Sequence, residues 1–211
     1  MAVRSIVITG EPVLHRPAAL VAAFDDALRQ LVADMYETMD EAHGVGLAAP
    51  QIGVALRLFV YEMGNDDDLP ARGVIVNPML SLSKISTDRP DPDTESEGCL
   101  SVPGESYPLK RADRVTMVGF DADGEPLSFE ATGWFARVMQ HEFDHLNGLL
   151  YVDRLDPKQL KRARKAIRAN GWGKAGNAWL PGVDRDPFGH DDEPDVDAAH
   201  LDATGHDERL V

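Results

Sequence analysis

The stretch QHEFDH, residues 140–145, decides both the fold and the chemistry of this sequence. Residues four apart on a helix project from the same side, one turn apart, so His141 and His145 can direct a ring nitrogen at one metal ion. Glu142 lies about 100° further round the helix, where it can face a water molecule on that metal without being a ligand. The spacing predicts a metal site on a helix. The alternative is two histidines at the surface with no ligand.

The residues on either side favour the helix that this metal site requires. Apolar residues recur at helical spacing from Trp134 to Leu146, and Gly148 follows as a stop signal. The same periodicity predicts a helix over Phe24 to His43. A third helix is predicted over Pro157 to Asn170, with proline in its first turn.

Short strands are expected in most of the remaining body. The pattern predicts strands over 57–63, 73–82, 114–121 and 125–131, and a loop over 88–97. An Asp123-Gly124 turn joins the last two strands into a hairpin, and Pro78 suggests a strand end or an edge. The glycine- and alanine-rich stretch 44–53 fits neither template. We therefore predict an α+β fold, with short, mostly antiparallel strands packed around a central metal-bearing helix.

Composition narrows the class of protein. The chain has 211 residues, is 43% hydrophobic and 27% charged, and carries a net charge of −15. These values are typical of a globular protein that is not held to nucleic acid by its overall field. The single cysteine, Cys99, excludes an intramolecular disulfide and favours a reducing compartment. No apolar stretch has the length of a signal-peptide core or a membrane span, so we expect a cytoplasmic protein without membrane contact.

The charge is unevenly distributed along the chain. Residues 184–211 contain ten acidic residues against two arginines and show no apolar periodicity. Such a segment cannot offset its ordering entropy by burial, which predicts a disordered acidic tail. We expect a catalytic domain over 1–170, a Trp- and Gly-rich extension over 171–183 and this tail.

A catalytic metal needs a third protein ligand and an open position. Where a longer form of the helical pattern would place a third histidine, this sequence has Tyr151, and no glutamate occurs between Glu142 and Glu193. The remaining candidate is upstream, Cys99 in the stretch EGCLS (97–101), because a thiolate is a strong metal ligand. The alternative for a lone cysteine is a small buried hydrophobe. Ligand softness alone would favour zinc.

The stretch GVGLAAPQ, residues 44–51, is the third candidate element of a site. Small residues at this density let a substrate backbone approach closely. Gln51 offers an uncharged NH2 donor, which suits a developing oxyanion. A turn that ends the first helix, followed by a loop, explains the same residues.

Taken together, three stretches resemble the signature motifs of the peptide deformylases in order and separation: GVGLAAPQ (44–51), EGCLS (97–101) and QHEFDHLNG (140–148). The resemblance covers residues 1–170. Three further features are most similar to deformylases of actinobacterial type: an insert around 66–72, the loop at 88–98 and the tryptophans at 172 and 179.

The resemblance implies a reaction and a role for each residue. It implies one Fe(II) per chain, replaceable by Ni, Co or Zn, on three ligands: Cys99, His141 and His145. Glu142 would carry protons, while the Gln51 amide and the backbone N–H of Leu100 would hold the oxyanion. The formyl group of N-formylmethionyl nascent peptides would leave as formate.

The resemblance also suggests where the substrate lies. Val138 and Trp134 precede His141 by three and seven residues and share its helix face, so they are candidates for the methionine slot. Core packing explains Trp134 equally well. The substrate backbone is expected beside an edge-strand-like segment: Gly44, Val45 and Gly46. A clamp behind the ligands is expected from one arginine and two carboxylates: Arg111, Glu97 and Asp144.

The helix predicted over 157–170 is strongly basic in an acidic protein. Its six cations are Lys158, Lys161, Arg162, Arg164, Lys165 and Arg168. Deformylases act on chains that leave the ribosome, so the resemblance makes ribosomal RNA a partner for this face. A solvated charged face is the alternative.

Two other functions compete with deformylation. A zinc endopeptidase would share the helical metal pattern, but it lacks its downstream third ligand here. A metal-bound binding module or an inactive relative would need neither Glu142 nor Gln51. Release of formate from a formyl peptide, compared with cleavage of an internal peptide bond, separates the three.

Overall fold

The computed structural model describes residues 2–63 and 72–189. Its helices are α1 (Asp26–Glu41), α2 (Gly133–Leu146) and α3 (Pro157–Ala169). Its strands are β1 (Ile6–Val7), β2 (Gly46–Ala48), β3 (Leu58–Glu62), β4 (Arg72–Leu82), β5 (Ser96–Glu97), β6 (Tyr107–Pro108), β7 (Arg114–Phe120), β8 (Pro126–Thr132) and β9 (Ala178–Trp179). Short 3-10 turns cover Pro12–His15, Ala49–Ile52 and Tyr151–Arg154. The three predicted helices and the α+β class are confirmed.

The helices begin where the sequence provides a cap. The Asp25 carboxylate accepts a hydrogen bond from the Leu28 backbone N–H at the start of α1. Asp156 caps α3 in the same way, and Pro157 follows in the first helical position, where its missing N–H costs no hydrogen bond. The α1 helix closes with the Gly44 N–H bonded to the Met39 carbonyl, at 2.9 Å.

Five strands form one antiparallel sheet in the order β2-β3-β4-β7-β8. The β7–β8 hairpin turns at 121–125, which confirms that prediction. Two further pairs, β1–β9 and β5–β6, form small antiparallel sheets. The β5 strand lies at the end of the stretch predicted as a loop.

The sheet is covered on both faces around β3. Leu58 and Val60 join the apolar cluster on the α1 side, while Phe59 and Tyr61 join the cluster on the α2 side. Successive side chains of a strand point to opposite faces, so each face of β3 supplies its own core. The α2 helix packs against β2, β7 and β8, and it therefore occupies the centre of the fold.

The structure corrects two local predictions. Pro78 is not a strand end, because β4 continues through it, but it lies just beyond Val76, the last residue of β4 that pairs with β3, so that side of β4 is locally an edge. The strand register shifts between Val76 and Met79, and this bulge accommodates a residue that has no N–H for the ladder. The stretch 44–53 is also more regular than expected, since it contains β2 and a 3-10 turn.

The C-terminal extension folds back onto the N-terminus. The β9 strand pairs with β1, with Trp179 opposite Ile6 and Ala178 opposite Val7. Phe188 packs edge-on against Trp179, with ring centroids 5.9 Å apart, so the first residues of the predicted tail lie against the body.

The remaining parts of two predictions lie outside the described residues. These are 190–211 of the acidic tail and most of the insert around 66–72. The proposed domain boundaries stay predictions. Among the described residues, no helix combines the length and apolar character needed to cross a membrane.

Candidate active site

The three predicted metal ligands lie together and are buried. His141 and His145 project from α2, and Cys99 comes from the loop between β5 and β6 (residues 98–106, the Cys99 loop). The Cys99 Sγ atom lies 3.4 Å from His145 Nε2, and the two histidine Nε2 atoms are 3.2 Å apart. Metal–ligand bonds of usual length in a tetrahedral site would place sulfur about 3.6 Å from nitrogen and the two nitrogens about 3.4 Å apart. The spacing therefore fits one small metal ion.

Backbone hydrogen bonds hold the Cys99 loop in place. The Val102 N–H bonds to the Cys99 carbonyl at 2.9 Å and closes a turn around the ligand. The Thr9 N–H, just after β1, bonds to the Ser101 carbonyl at 2.9 Å. The Trp179 indole N–H bonds to the Leu100 carbonyl at 3.1 Å. The segment after β1 and the C-terminal extension therefore both support the Cys99 loop.

The electrostatics of the ligands suit a metal. Burial, followed by the nearby charges of His141 and Arg111, holds the pKa of His145 well below its usual range, so the imidazole is neutral. Burial also raises the pKa of the Cys99 thiol, and the neighbouring Glu142 charge adds to this effect. A thiolate at this position needs a compensating cation, and metal binding supplies one as it releases the thiol proton.

A buried ion-pair network orients His141. The Arg111 guanidinium reaches Glu97 at 2.8 Å and 2.9 Å and Asp144 at 2.6 Å, which confirms the predicted clamp. Burial alone would raise the pKa of Glu97, but its pairing with Arg111 and its bond to His141 outweigh burial and hold that pKa well below its usual range. Glu97 is thus a carboxylate and accepts from His141 Nδ1 at 3.1 Å. The Nε2 lone pair is left facing the site.

Sequence reasoning missed several residues of this network. Arg137 donates to Glu97 at 2.6 Å and to the Leu109 carbonyl at 2.8 Å. It lies one turn before His141, so helix spacing could have identified it. Arg154 pairs with Asp144 from the other side.

Two further residues outside the predicted site fix the metal-bearing helix. The Gln140 amide bonds to both the N–H and the carbonyl of Ala112, at 3.0 Å and 2.8 Å. Tyr151 occupies the position where the longer pattern has a ligand. Its ring stacks on His141, with centroids 6.1 Å apart.

Glu142 is buried without a hydrogen-bond partner among the described residues. Neither carboxylate oxygen is bonded, although both are inaccessible. Burial, followed by the charges of Glu97 and Asp144, raises the pKa of Glu142 well above its usual range. The side chain lies against β2, since a Cβ atom on Gly46 would fall 2.5 Å from its Oε1 atom. Buried polar atoms without partners are rare, which indicates that this carboxylate faces a ligand or water.

The Gln51 amide is directed at the same site. Its Oε1 atom accepts from the Ala48 N–H at 2.7 Å, which fixes the orientation of the amide. Its Nε2 atom then points to the Cys99 sulfur, 3.9 Å away. Leu100, the other proposed oxyanion donor, follows Cys99 directly, and its side chain lies beside Gly44.

The predicted substrate segment forms one border of the sheet. Gly46 begins β2, the edge strand, and Val45 accepts a bond from the Glu62 N–H at 2.9 Å. Val138 is fully buried in the same apolar cluster as Val45. Trp134 is partly buried under the Arg137 guanidinium, 5.7 Å from the ring centroid. Substrate binding by Gly44, Val45, Gly46, Val138 and Trp134 stays a prediction.

Comparison with known proteins agrees with this geometry. A family model described as polypeptide deformylase matches residues 3–161. A peptide deformylase of Mycolicibacterium paratuberculosis is 53% identical over 197 residues, which are 90% of this chain and all of that protein. One from Mycobacterium marinum is 51% identical over the same shares. The crystal structure of a peptide deformylase from Legionella pneumophila superposes with a TM-score of 0.70 at 40% identity and covers 81% of this chain and 96% of its own. Because the family model, the mycobacterial relatives and the solved structure agree, this chain belongs to the polypeptide deformylase family.

Proposed function

We propose that this protein hydrolyses the N-terminal formyl group of newly made proteins and releases formate and a free N-terminal methionine. The observation that carries the proposal is Glu142, a buried carboxylate without a partner among the described residues, beside three convergent metal ligands. A structural metal site has no use for such a carboxylate, whereas a hydrolase needs one to move protons.

Cys99, His141 and His145 would hold one metal ion per chain, and we propose Fe(II), with Ni, Co or Zn as substitutes. A divalent metal there would lower the pKa of a water molecule and polarise the formyl carbonyl. The two neutral nitrogen donors and one sulfur donor make a mixed set that all of these metals accept. Anaerobic purification followed by metal analysis identifies the ion.

The residues around the three metal ligands have separate roles in the proposed reaction. Glu142 accepts the proton of the attacking water, because both of its buried carboxylate oxygens lack another partner among the described residues and the side chain follows His141 on the same helix. It then delivers that proton to the amine nitrogen as the carbon–nitrogen bond breaks. The Gln51 amide and the Leu100 backbone N–H donate to the formyl oxygen as it gains negative charge. Water and the formamide are consumed, and formate and the amine are released.

The substrate is expected to add to the sheet at its β2 border. The Gly44–Gly46 segment offers a backbone with small side chains, to which an extended peptide can pair. Val138 and Trp134, from α2, would contact the methionine side chain. The half-buried Trp134 can rearrange around a ligand more easily than the enclosed Val138.

Formate release is the direct test. Anaerobically purified protein is incubated with formyl-Met-Ala-Ser, and formate is measured with formate dehydrogenase. We expect turnover by the wild type and a loss of at least about 10³-fold in kcat for Glu142→Gln, which retains its metal. Acetyl-Met-Ala-Ser and an internal peptide serve as control substrates. A metal-replete wild type that releases no formate, or that cleaves the internal peptide instead, would refute the proposal.

We further propose that the protein works in the cytoplasm and docks on the ribosome through α3. All six cations of this helix are exposed, and the salt bridges among the described residues form elsewhere. Cations whose charge is not already neutralised by an internal carboxylate can neutralise phosphates and release counterions.

Co-sedimentation with ribosomes at two salt concentrations tests this docking. The variant reverses the charge of four cations: Lys161, Arg162, Lys165 and Arg168. We expect weaker binding and a flatter salt dependence than for the wild type, with unchanged turnover of the tripeptide. Equal binding at both salt concentrations would leave α3 as an ordinary solvated face.

A further inference from the structure

One peptide unit of the Cys99 loop is hydrogen-bonded at both ends. Its carbonyl, on Leu100, accepts from the Trp179 indole N–H at 3.1 Å. Its N–H, on Ser101, donates to the Cys99 sulfur at 3.4 Å. In a trans peptide the two groups point in opposite directions, so one planar unit links the indole to the metal-ligating sulfur.

Trp179 is itself firmly held. It is buried, it pairs in β9 with Ile6 of β1, and Phe188 packs edge-on against its ring. On the next residue of the loop, the Ser101 carbonyl is fixed by Thr9. Two consecutive carbonyls are thus anchored, that of Leu100 by Trp179 of β9 and that of Ser101 by Thr9, just after β1.

We propose that Trp179 is a positioning residue for the Cys99 ligand and acts through the Leu100–Ser101 peptide. The inference rests on the proposed metal-dependent function and adds a residue that lies outside 3–161, the part matched by the family model. The C-terminal extension thereby becomes part of the support of the site.

The hydrogen bond from Trp179 acts on the position and the charge of the Cys99 sulfur. A donor at the carbonyl fixes the tilt of the peptide plane and strengthens the N–H at its other end, because hydrogen bonds in a chain polarise one another. The Ser101 N–H in turn withdraws charge from the Cys99 sulfur and holds it towards the two histidines. Without the indole N–H, the peptide can tilt, and the sulfur loses part of this hydrogen bond.

The test uses Trp179→Phe, which removes the indole N–H and keeps an aromatic ring. Trp172→Phe is the matched control, since it makes the same change in the same extension, where Trp172 is half-buried and is not the donor to Leu100. Both variants and the wild type are loaded with Co(II). The thiolate-to-cobalt absorption band reports on the Cys99 sulfur, and the rate of Co(II) loss to a chelator reports on the site as a whole.

We expect Trp179→Phe to shift the absorption band and to lose Co(II) about 2- to 10-fold faster, as one lost hydrogen bond implies. Its KM for formyl-Met-Ala-Ser should stay unchanged while kcat falls. Trp172→Phe should match the wild type in band position and release rate. Formate release by the Co(II) wild type establishes the proposed function separately, so failure of one conclusion is distinguishable from failure of the other.

A second variant covers the case in which Trp179→Phe does not fold. Phe188→Leu keeps the indole N–H but loosens the ring that carries it, so we expect a smaller change in the same direction. Thermal unfolding of the metal-free proteins identifies which variants are folded. An unshifted band and an unchanged release rate in the folded Trp179→Phe would overturn the proposal. If only Phe188→Leu folds, an unshifted absorption band and an unchanged rate of Co(II) loss in that variant would overturn the proposal.

Discussion

Replacement of Gly46 by alanine is expected to disable Glu142 without touching the metal. Gly46 lies in β2 with an extended backbone, so alanine meets no conformational penalty there. The added Cβ atom would fall 2.5 Å from Glu142 Oε1, 2.9 Å from Cδ and 3.0 Å from Cγ. The clash is with the carboxylate itself, because the strand holds Gly46 in its ladder with Tyr61.

The expected loss of activity follows from the 2.5 Å distance between the added Cβ atom and Glu142 Oε1. Ordinary contact begins at 3.4 Å, so the Oε1 atom must retreat by 3.4 − 2.5 = 0.9 Å. A misplacement of about 1 Å costs on the order of 10² in rate when a reacting group is involved. We therefore expect kcat of Gly46→Ala to fall about 100-fold. Metal content should be unchanged, since the three atoms nearest the added Cβ all belong to Glu142 and none to a predicted metal ligand.

Formate release from formyl-Met-Ala-Ser, metal analysis and thermal unfolding together provide the measurement. Gly44→Ala is the graded comparison, because the atom nearest its Cβ would be Leu100 Cδ1, at 3.0 Å, at the flexible end of a side chain, and the next atoms would lie at an ordinary contact distance of 3.5 Å. Its loss should be smaller. In a double variant with Glu142→Gln, the alanine should add little, since the carboxylate it displaces is gone. A kcat above half the wild-type value, or a full additional loss in the double variant, would refute the reasoning.

Three further changes test other parts of the site. In metal-free protein, Glu142→Gln should raise Tm at pH 8, because the raised pKa of Glu142 means that its buried charge opposes folding. The gain should shrink as the pH falls and vanish below 4.5, where the carboxyl is protonated in both the folded and the unfolded state; an unchanged Tm at pH 8 argues against it. Cys99→Ser should lose most of its metal, since a serine hydroxyl ionises poorly, and Cys99→Asp should lose less. Metal analysis after dialysis measures both losses, and full metal occupancy in the serine variant would place the third ligand elsewhere. Arg111→Met should lower the free energy of unfolding, measured by urea denaturation, by about 3–5 kcal/mol, because Glu97 and Asp144 lose a buried partner. A change within experimental error would show that Arg137 and Arg154 compensate.

The elements that the sequence predicted are those with a local cause. The α1 and α3 helices have an apolar or basic periodicity, and each begins at an aspartate cap that can be read from neighbouring residues. The β2 strand has no such signal, because its three residues are all buried and show no alternation. The bulge at Pro78 lies where β4 passes its last β3 partner and continues its pairing with β7, and local sequence does not specify either partner.

The same distinction applies to the site. His141 and His145 follow from helix spacing, and Cys99 follows because other third ligands are missing. Trp179 could not be found in this way. It meets Leu100 only because β9 pairs with β1 at the opposite end of the chain. Such a contact depends on the complete fold, and neither of the two tryptophans beyond α3 lies in a sequence pattern that predicts it.

Two buried glutamates show how the fold assigns chemical roles to identical side chains. Burial alone would raise the pKa of Glu97, but Arg111 and the hydrogen bond from His141 hold it low, so it stays charged as the partner of His141. Glu142 has no cation beside it and no hydrogen-bond partner among the described residues, so its pKa is raised and it can exchange a proton. Opposite shifts in neighbouring carboxyl groups separate the group that orients from the group that reacts. In the proposed reaction, Arg111 therefore keeps Glu97 charged so that it orients His141, while burial beside Glu97 and Asp144 sets Glu142 apart as the proposed proton carrier.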